Sequence, residues 1–373
     1  MQFSHIPGHV DVKRRLREMV DNDRIPHALL LYGAPGSAKL MLARAFVNYM
    51  HCTDRTPDGD SCGRCAACMQ HRNNGHVDLH YSFPTLKKSD KPGASEEFLE
   101  EWTDFLNEHP YAPMSQWLLR LDKPNGQPVI YAGEATALSH YLSFTARTSH
   151  HKVAIVWLPE RFQPAAANKL LKLIEEPFPD TKIIFVSNDA RSILPTIYSR
   201  LQRIEVPPLE ENILSGELLA RFPSLDQEHA LGIARASEGD MNIAMEMCEG
   251  ESADNMLRQF VGLMRLAFQR KIAELKRWAD DMASTGREQQ IRFLDFCCRM
   301  LRENFLLNTG IKGLTRMTRN EEDFSIKFSK FITSRNVLPL IEEFERAKTD
   351  IAANGNAKII FFDMAIHVIL LIK

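Results

Sequence analysis

The 373-residue sequence has no apolar run approaching the ~20 residues of a membrane-spanning helix, which excludes a helical membrane protein. Its first residues, Met1-Gln2-Phe3-Ser4-His5, carry no secretory signal, so the expected location is cytoplasmic, with no membrane partner. An excess of charge of one sign is missing too. Against 46 Lys+Arg stand 48 Asp+Glu, a net charge of −2, and without a global basic field any contact with nucleic acid is local or shared with partners. Cysteine is sparse except in one place: four of the seven lie between positions 52 and 68. In a cytoplasmic chain such clustering points to a metal rather than to disulfides.

A further absence lies inside a motif. Gly33-Ala34-Pro35-Gly36-Ser37-Ala38-Lys39-Leu40 follows the apolar run 28–32 and leads into a helix-like segment from Met41. Strand, glycine turn, lysine and helix form the layout of a phosphate-binding P-loop, in which backbone N–H groups cradle phosphates and the lysine reaches the β/γ oxygens. Two parts are lacking. The glycine expected before the lysine is Ala38, and the hydroxyl residue expected after it is Leu40, which cannot ligate Mg²⁺. Gly33, Gly36 and Lys39 therefore remain as candidate nucleotide-binding residues of a degenerate loop.

With 44% hydrophobic and 25% charged residues, the chain reads as globular, and its length predicts two or three domains. Cys52-x9-Cys62-x2-Cys65-x2-Cys68 has the spacing of a zinc knuckle. Four thiolates leave no open position for water, so this is expected to be a structural Zn²⁺ site, and His51, His71 and His76 nearby are not required for it. Residues 77–84 alternate like a strand, and the acidic, aromatic-punctuated stretch 95–108 reads as a solvated face or a rim insertion without assigned chemistry. The run Val153–Trp157 predicts a buried parallel strand. In a P-loop ATPase such a strand ends in acids for Mg²⁺ and water; here Trp157-Leu158-Pro159 follows, and Glu160, the nearest acid, also reads as a helix N-terminal charge. A helix over 165–176 stopped by Pro177, a strand over 182–188 and, within 194–207, a helix-like turn into another short strand complete a mostly parallel α/β sheet.

Taken together, the P-loop, the four-cysteine knuckle, "NKLLKLIEEP", "IIFVSND" and "ILPTIYSRLQRIEV" resemble the bacterial clamp-loader family, the gamma/tau and delta-prime subunits of the replicative DNA polymerase III holoenzyme. The resemblance covers roughly residues 1–245, apart from an insertion at 85–130. It implies an α/β AAA+ module with a zinc knuckle (1–208), a small helical lid (209–250) and an all-α collar (251–373). It implies a hetero-pentamer with gamma/tau and delta subunits that uses ATP to open a sliding clamp and place it on primed DNA.

Departures from the ATPase pattern at Ala38, Leu40, Trp157, Leu158 and Asn242, the last at the nucleotide-sensing arginine position, fit the family's delta-prime branch, which typically lacks hydrolysis. ATP would then be bound by the neighbouring subunit. Ser199-Arg200-Leu201 matches the family's Ser-Arg-Cys motif except at its last residue, which makes Arg200 an arginine finger acting in trans. On residues alone, Arg200 reads as a surface arginine pairing with an acid such as Glu205. Two rivals stand beside this: an active gamma/tau-like ATPase using Glu160 or Asp189, and a zinc-knuckle nucleic-acid-binding module. Lys312, Arg316 and Arg319 read as solvated. Helices are expected over 256–278, 287–308, 325–347 and 357–371, with Phe260, Leu263, Met264 and Phe268 as core.

Overall fold

The computed structural model describes residues 1–87, 94–123, 125–249, 251–310 and 315–372; Lys312 and residues 88–93 lie outside them. The chain divides into two compact units, Met1–Ile213 with Gly239–Asn242, and Leu214–Glu238 with Ile243–Lys373.

The first unit opens with α1 (Val10–Asp21), β1 (Ala28–Tyr32), α2 (Lys39–His51), α3 (Ala66–Arg72) and β2 (Leu79–Ser82). It continues with α4 (Leu99–Glu108), α5 (Met114–Arg120), α6 (Ala132–Ser143), β3 (Lys152–Trp157), α7 (Pro164–Glu175), β4 (Thr181–Ser187), α8 (Pro195–Tyr198) and β5 (Gln202–Glu205). The five strands form one parallel sheet in the order β2-β3-β4-β1-β5. Parallel strands require crossovers, and helices covering both faces explain why β1, β3 and β4 are apolar without alternation. This is the mostly parallel α/β sheet expected from the sequence. β1 lies between β4 and β5, so the loop after Tyr32 opens at the carboxyl edge of the sheet, where such folds bind ligands.

The stretch 95–120 is more than a solvated rim. α4 turns its acids outward and buries Trp102, Phe105 and Leu106, while α5 buries Trp117. Trp102 stacks on Phe83 with ring centroids 4.1 Å apart and meets Trp157 at 5.2 Å. The indole N–H of Trp117 donates to the Pro84 carbonyl at 2.8 Å, so this buried polar atom is satisfied.

The helices that follow are α9 (Glu211–Arg221), α10 (Gln227–Ala236), α11 (Met241–Cys248), α12 (Glu251–Phe268), α13 (Ile272–Ala283), α14 (Arg287–Asn308), α15 (Arg319–Phe328), α16 (Val337–Ala352) and α17 (Ala357–Leu371). The core of the second unit joins Phe260, Leu263, Leu294, Met300, Phe344 and Met364 among others. Two expected helices are broken. The one over 256–278 divides at Arg270, which adopts a left-handed conformation with φ 55°; the one over 325–347 gives way to a 3-10 turn at Ser329–Phe331 before α16 starts. Phe268 is 54% exposed, so it lies outside the core to which its spacing assigned it. Among the described residues, no helix is long and apolar enough to cross a membrane.

Candidate functional site

The loop over 33–40 turns between β1 and α2 through positive φ at Gly33, Gly36 and Ala38. Gly33 lies so close to β5 that a Cβ there would stand 2.1 Å from the Val206 carbonyl oxygen. Gly36 has φ +67°, and a Cβ on it would meet the Asp240 carboxylate at 1.9 Å. Ala38 takes the left-handed conformation of the missing glycine, with φ 60° and ψ 19°. Leu40 is buried in the core and offers no oxygen to a metal.

What fills the loop is its own chain. Lys39 is 5% exposed; its Nζ donates to the Ala34 carbonyl and lies 3.2 Å from Ser37 Oγ. Burial lowers its pKa to about 8, against the opposing pull of the Asp240 and Glu160 charges. The Asp240 carboxylate lies over Gly36 and accepts from the Asn242 N–H at 2.8 Å, so an internal anion stands against the loop. Asn242 itself is buried, and its side-chain carbonyl oxygen has no partner among the described residues.

The end of β3 holds no metal ligand. Trp157 and Leu158 are each 2% exposed, and Trp157 packs into the Trp102–Phe105 cluster. Glu160 lies in the short 3-10 turn Pro159–Arg161, and its Oε1 accepts the backbone N–H groups of Asn188 and Asp189 at 3.0 and 3.3 Å. Burial raises the pKa of this carboxyl despite those bonds. Asp189 caps the next turn through the Arg191 N–H at 3.1 Å and also accepts from the Ser192 hydroxyl. Both acids proposed for an alternative catalytic role are therefore engaged in holding the carboxyl ends of β3 and β4.

The four cysteines converge. The ligand atoms of Cys52, Cys62, Cys65 and Cys68 all lie within 4.8 Å of one another, with Cys62–Cys68 and Cys65–Cys52 sulfur separations of 3.9 Å. Zinc–sulfur bonds of about 2.3 Å in a tetrahedron put sulfurs about 3.8 Å apart, so the cluster fits that ion. The backbone N–H groups of Cys62 and Cys65 each lie 3.3 Å from a cluster sulfur, and that of Cys68 lies 3.5 Å from another. Burial and the Cys65 and Cys52 thiols push the Cys68 pKa up; around Cys65, donors from Cys68 and Thr53 outweigh burial and pull it down to about 6. A dication among these sulfurs relieves the conflict between neighbouring thiolates.

Beside the knuckle lies a buried trio, His51, His71 and His76. His51 Nε2 donates to the His151 carbonyl at 3.0 Å, which leaves Nδ1 to accept from His71 Nε2 at 3.0 Å. The His71 and His76 rings are stacked, 13° apart with centroids at 4.3 Å. An ion bound through ring nitrogens lies in the plane of each ring, and stacked planes do not share such a point. Burial, with the neighbouring imidazoles, the amino terminus and Arg44, holds the His71 pKa down to about 2. Burial keeps all three imidazoles neutral.

Arg200 follows α8 and stands at the surface beside β5, the end strand of the sheet. Its Nη2 is 2.6 Å from Glu175 Oε1, and its Nη1 donates to the Thr196 carbonyl at 2.8 Å. The pairing acid is thus Glu175, from the end of α7, and not Glu205 as chain proximity suggested. Arg203 lies over the Tyr198 ring, 4.7 Å from its centroid. Sequence reasoning passed over Asp240 and Glu175, since neither is near its partner in the chain.

A profile of the family described as DNA polymerase III, delta subunit matches residues 8–210. The DNA polymerase III subunit delta' of Bacillus subtilis is 23% identical over 260 residues, covering 70% of this chain and 65% of that protein. The subunit delta' of Escherichia coli K12 is 27% identical over 228 residues, covering 61% and 55%. The matched region thus spans less than two thirds of either relative's length. Among solved structures, a DNA polymerase III gamma subunit-related protein of Thermotoga maritima aligns with 95% of this chain and 98% of its own, at 15% identity and a TM-score of 0.40.

Proposed function

The chain belongs to the DNA polymerase III, delta subunit family, and we propose that it works as a delta-prime-type clamp-loader subunit that hydrolyses no ATP itself. In this reading it joins gamma/tau and delta subunits in a hetero-pentamer in the cytoplasm, and the assembly places a sliding clamp on primed DNA. Residues 209–250 serve as the lid and 251–373 as the collar that binds the subunits together. Zn²⁺ held by Cys52, Cys62, Cys65 and Cys68 closes the knuckle and takes no part in hydrolysis.

One observation carries the non-hydrolysing reading: the P-loop is occupied from within. Lys39 is bonded to the loop's own carbonyl, and the Asp240 carboxylate stands against Gly36, where a phosphate would approach. Leu40 in place of a hydroxyl and the buried Trp157 support the same conclusion, since Mg²⁺ needs oxygen ligands at these two places. Arg200 is the catalytic group that remains. A guanidinium stays charged, presents a planar fork to a phosphate and stabilises charge developing on a transferring phosphoryl group. It acts on ATP bound by the neighbouring subunit, at which its exposed position on the sheet edge allows it to arrive.

Steady-state assay of the isolated chain with saturating ATP and Mg²⁺ is expected to give no turnover above the uncatalysed background. Multiple turnovers that persist through purification would overturn the non-hydrolysing reading and favour an ATPase instead.

A further inference from the structure

Glu175 is the last residue of α7, at the negative end of the helix dipole, where a carboxylate is disfavoured. Its compensation comes from across the fold, through the 2.6 Å contact with Arg200. The turn that carries it is firmly placed: Leu173 and Ile174 are buried, and His27 Nε2 donates to the Ile174 carbonyl at 2.9 Å. Arg200 is also held by the Thr196 carbonyl, so its guanidinium is tied to the end of α7 and to α8. Glu175 and Arg200 side chains remain 48% and 42% exposed. A pair so open to water adds little to stability, but it selects among arginine rotamers.

We propose that Glu175 is a positioning residue for Arg200, fixing the guanidinium at the sheet edge before it meets a neighbour's nucleotide; this rests on the arginine role proposed above. A free arginine gives up much rotamer freedom when it engages a phosphate, and prior immobilisation removes that loss from the catalytic encounter. The hold is reversible. A triphosphate carries more charge and more acceptor oxygens than one carboxylate, so it draws the fork across when it is within reach. Glu175 therefore presents Arg200 without trapping it.

The test uses the complex reconstituted with its partner ATPases and compares Glu175→Ala, Glu175→Gln, Arg200→Ala and the double alanine variant. Glu175→Ala is expected to lower kcat for ATP about three- to fivefold, the scale of one exposed ion pair, with KM and the thermal midpoint unchanged. Glu175→Gln, which keeps an acceptor, recovers part of the loss, and the double variant is no slower than Arg200→Ala alone. If Arg200→Ala is slow while Glu175→Ala hydrolyses at the wild-type rate, or if the two losses multiply, this inference is overturned and the arginine role stands. A wild-type rate in Arg200→Ala removes both.

Discussion

Ala38 holds φ 60° although it has a Cβ, because the loop around it keeps the shape that glycine normally allows. Ala38→Gly is expected to stabilise the chain by about 0.5–1 kcal/mol in urea unfolding, as relief of left-handed strain exceeds the entropy that glycine adds to the unfolded state. It should not create turnover, since Leu40 still supplies no oxygen. Asp78 is wholly buried, and burial alone would raise its pKa. Donors from Arg147, Thr148 and Ser149 outweigh that and bring it to about 2, below the 3.8 of a free carboxyl. A depressed carboxylate stabilises the fold above its unfolded pKa, and the contribution disappears as the pH falls from about 4 through 2. Over that range Asp78→Asn should close a stability gap of about 2 kcal/mol to wild type, measured by denaturant titration at each pH. What was legible at this scale was loss: Ala38 and Leu40 depart from the motif by identity, and Asn242 by its place in the family resemblance. Asp240 over Gly36 and Glu175 on Arg200 were not legible, because only the fold brings those pairs together.

At the scale of elements, the knuckle was readable from cysteine spacing, since short loops leave thiolates few places to go. Zinc content near one per chain is expected, and stripping the metal with a chelator should cost about 4 kcal/mol, the linkage value for a site held at a thousand times its dissociation constant. Unfolding curves with and without chelator measure this; zinc well below one per chain in protein never exposed to chelator contradicts the site. The strands over 153–157 and 182–188 were legible as continuous apolar runs, which only a doubly covered sheet requires. The insertion was less so. Its acids dominate the sequence pattern, whereas Trp102, Phe105 and Trp117 do the packing and seal the end of β3. The break at Arg270 left no proline or glycine to mark it: a left-handed arginine ends a helix through backbone geometry that composition does not encode.

At the scale of the molecule, the strand order β2-β3-β4-β1-β5 puts the P-loop and the ends of β3 and β4 at one carboxyl edge, with Arg200 beside the end strand β5. The first location lacks a hydroxyl residue at Leu40 and an acid at Trp157, and the second presents Arg200 beside Glu175. That division is the central claim: the chain spends its P-loop on structure and lends its arginine to another subunit. The most direct measurement is DNA-stimulated ATP hydrolysis by the reconstituted complex, comparing wild type with Arg200→Ala. The account predicts that turnover at the site facing Arg200 falls by about a thousandfold or more, the scale of a lost arginine finger, while assembly is retained. Unchanged hydrolysis in an intact complex would contradict it.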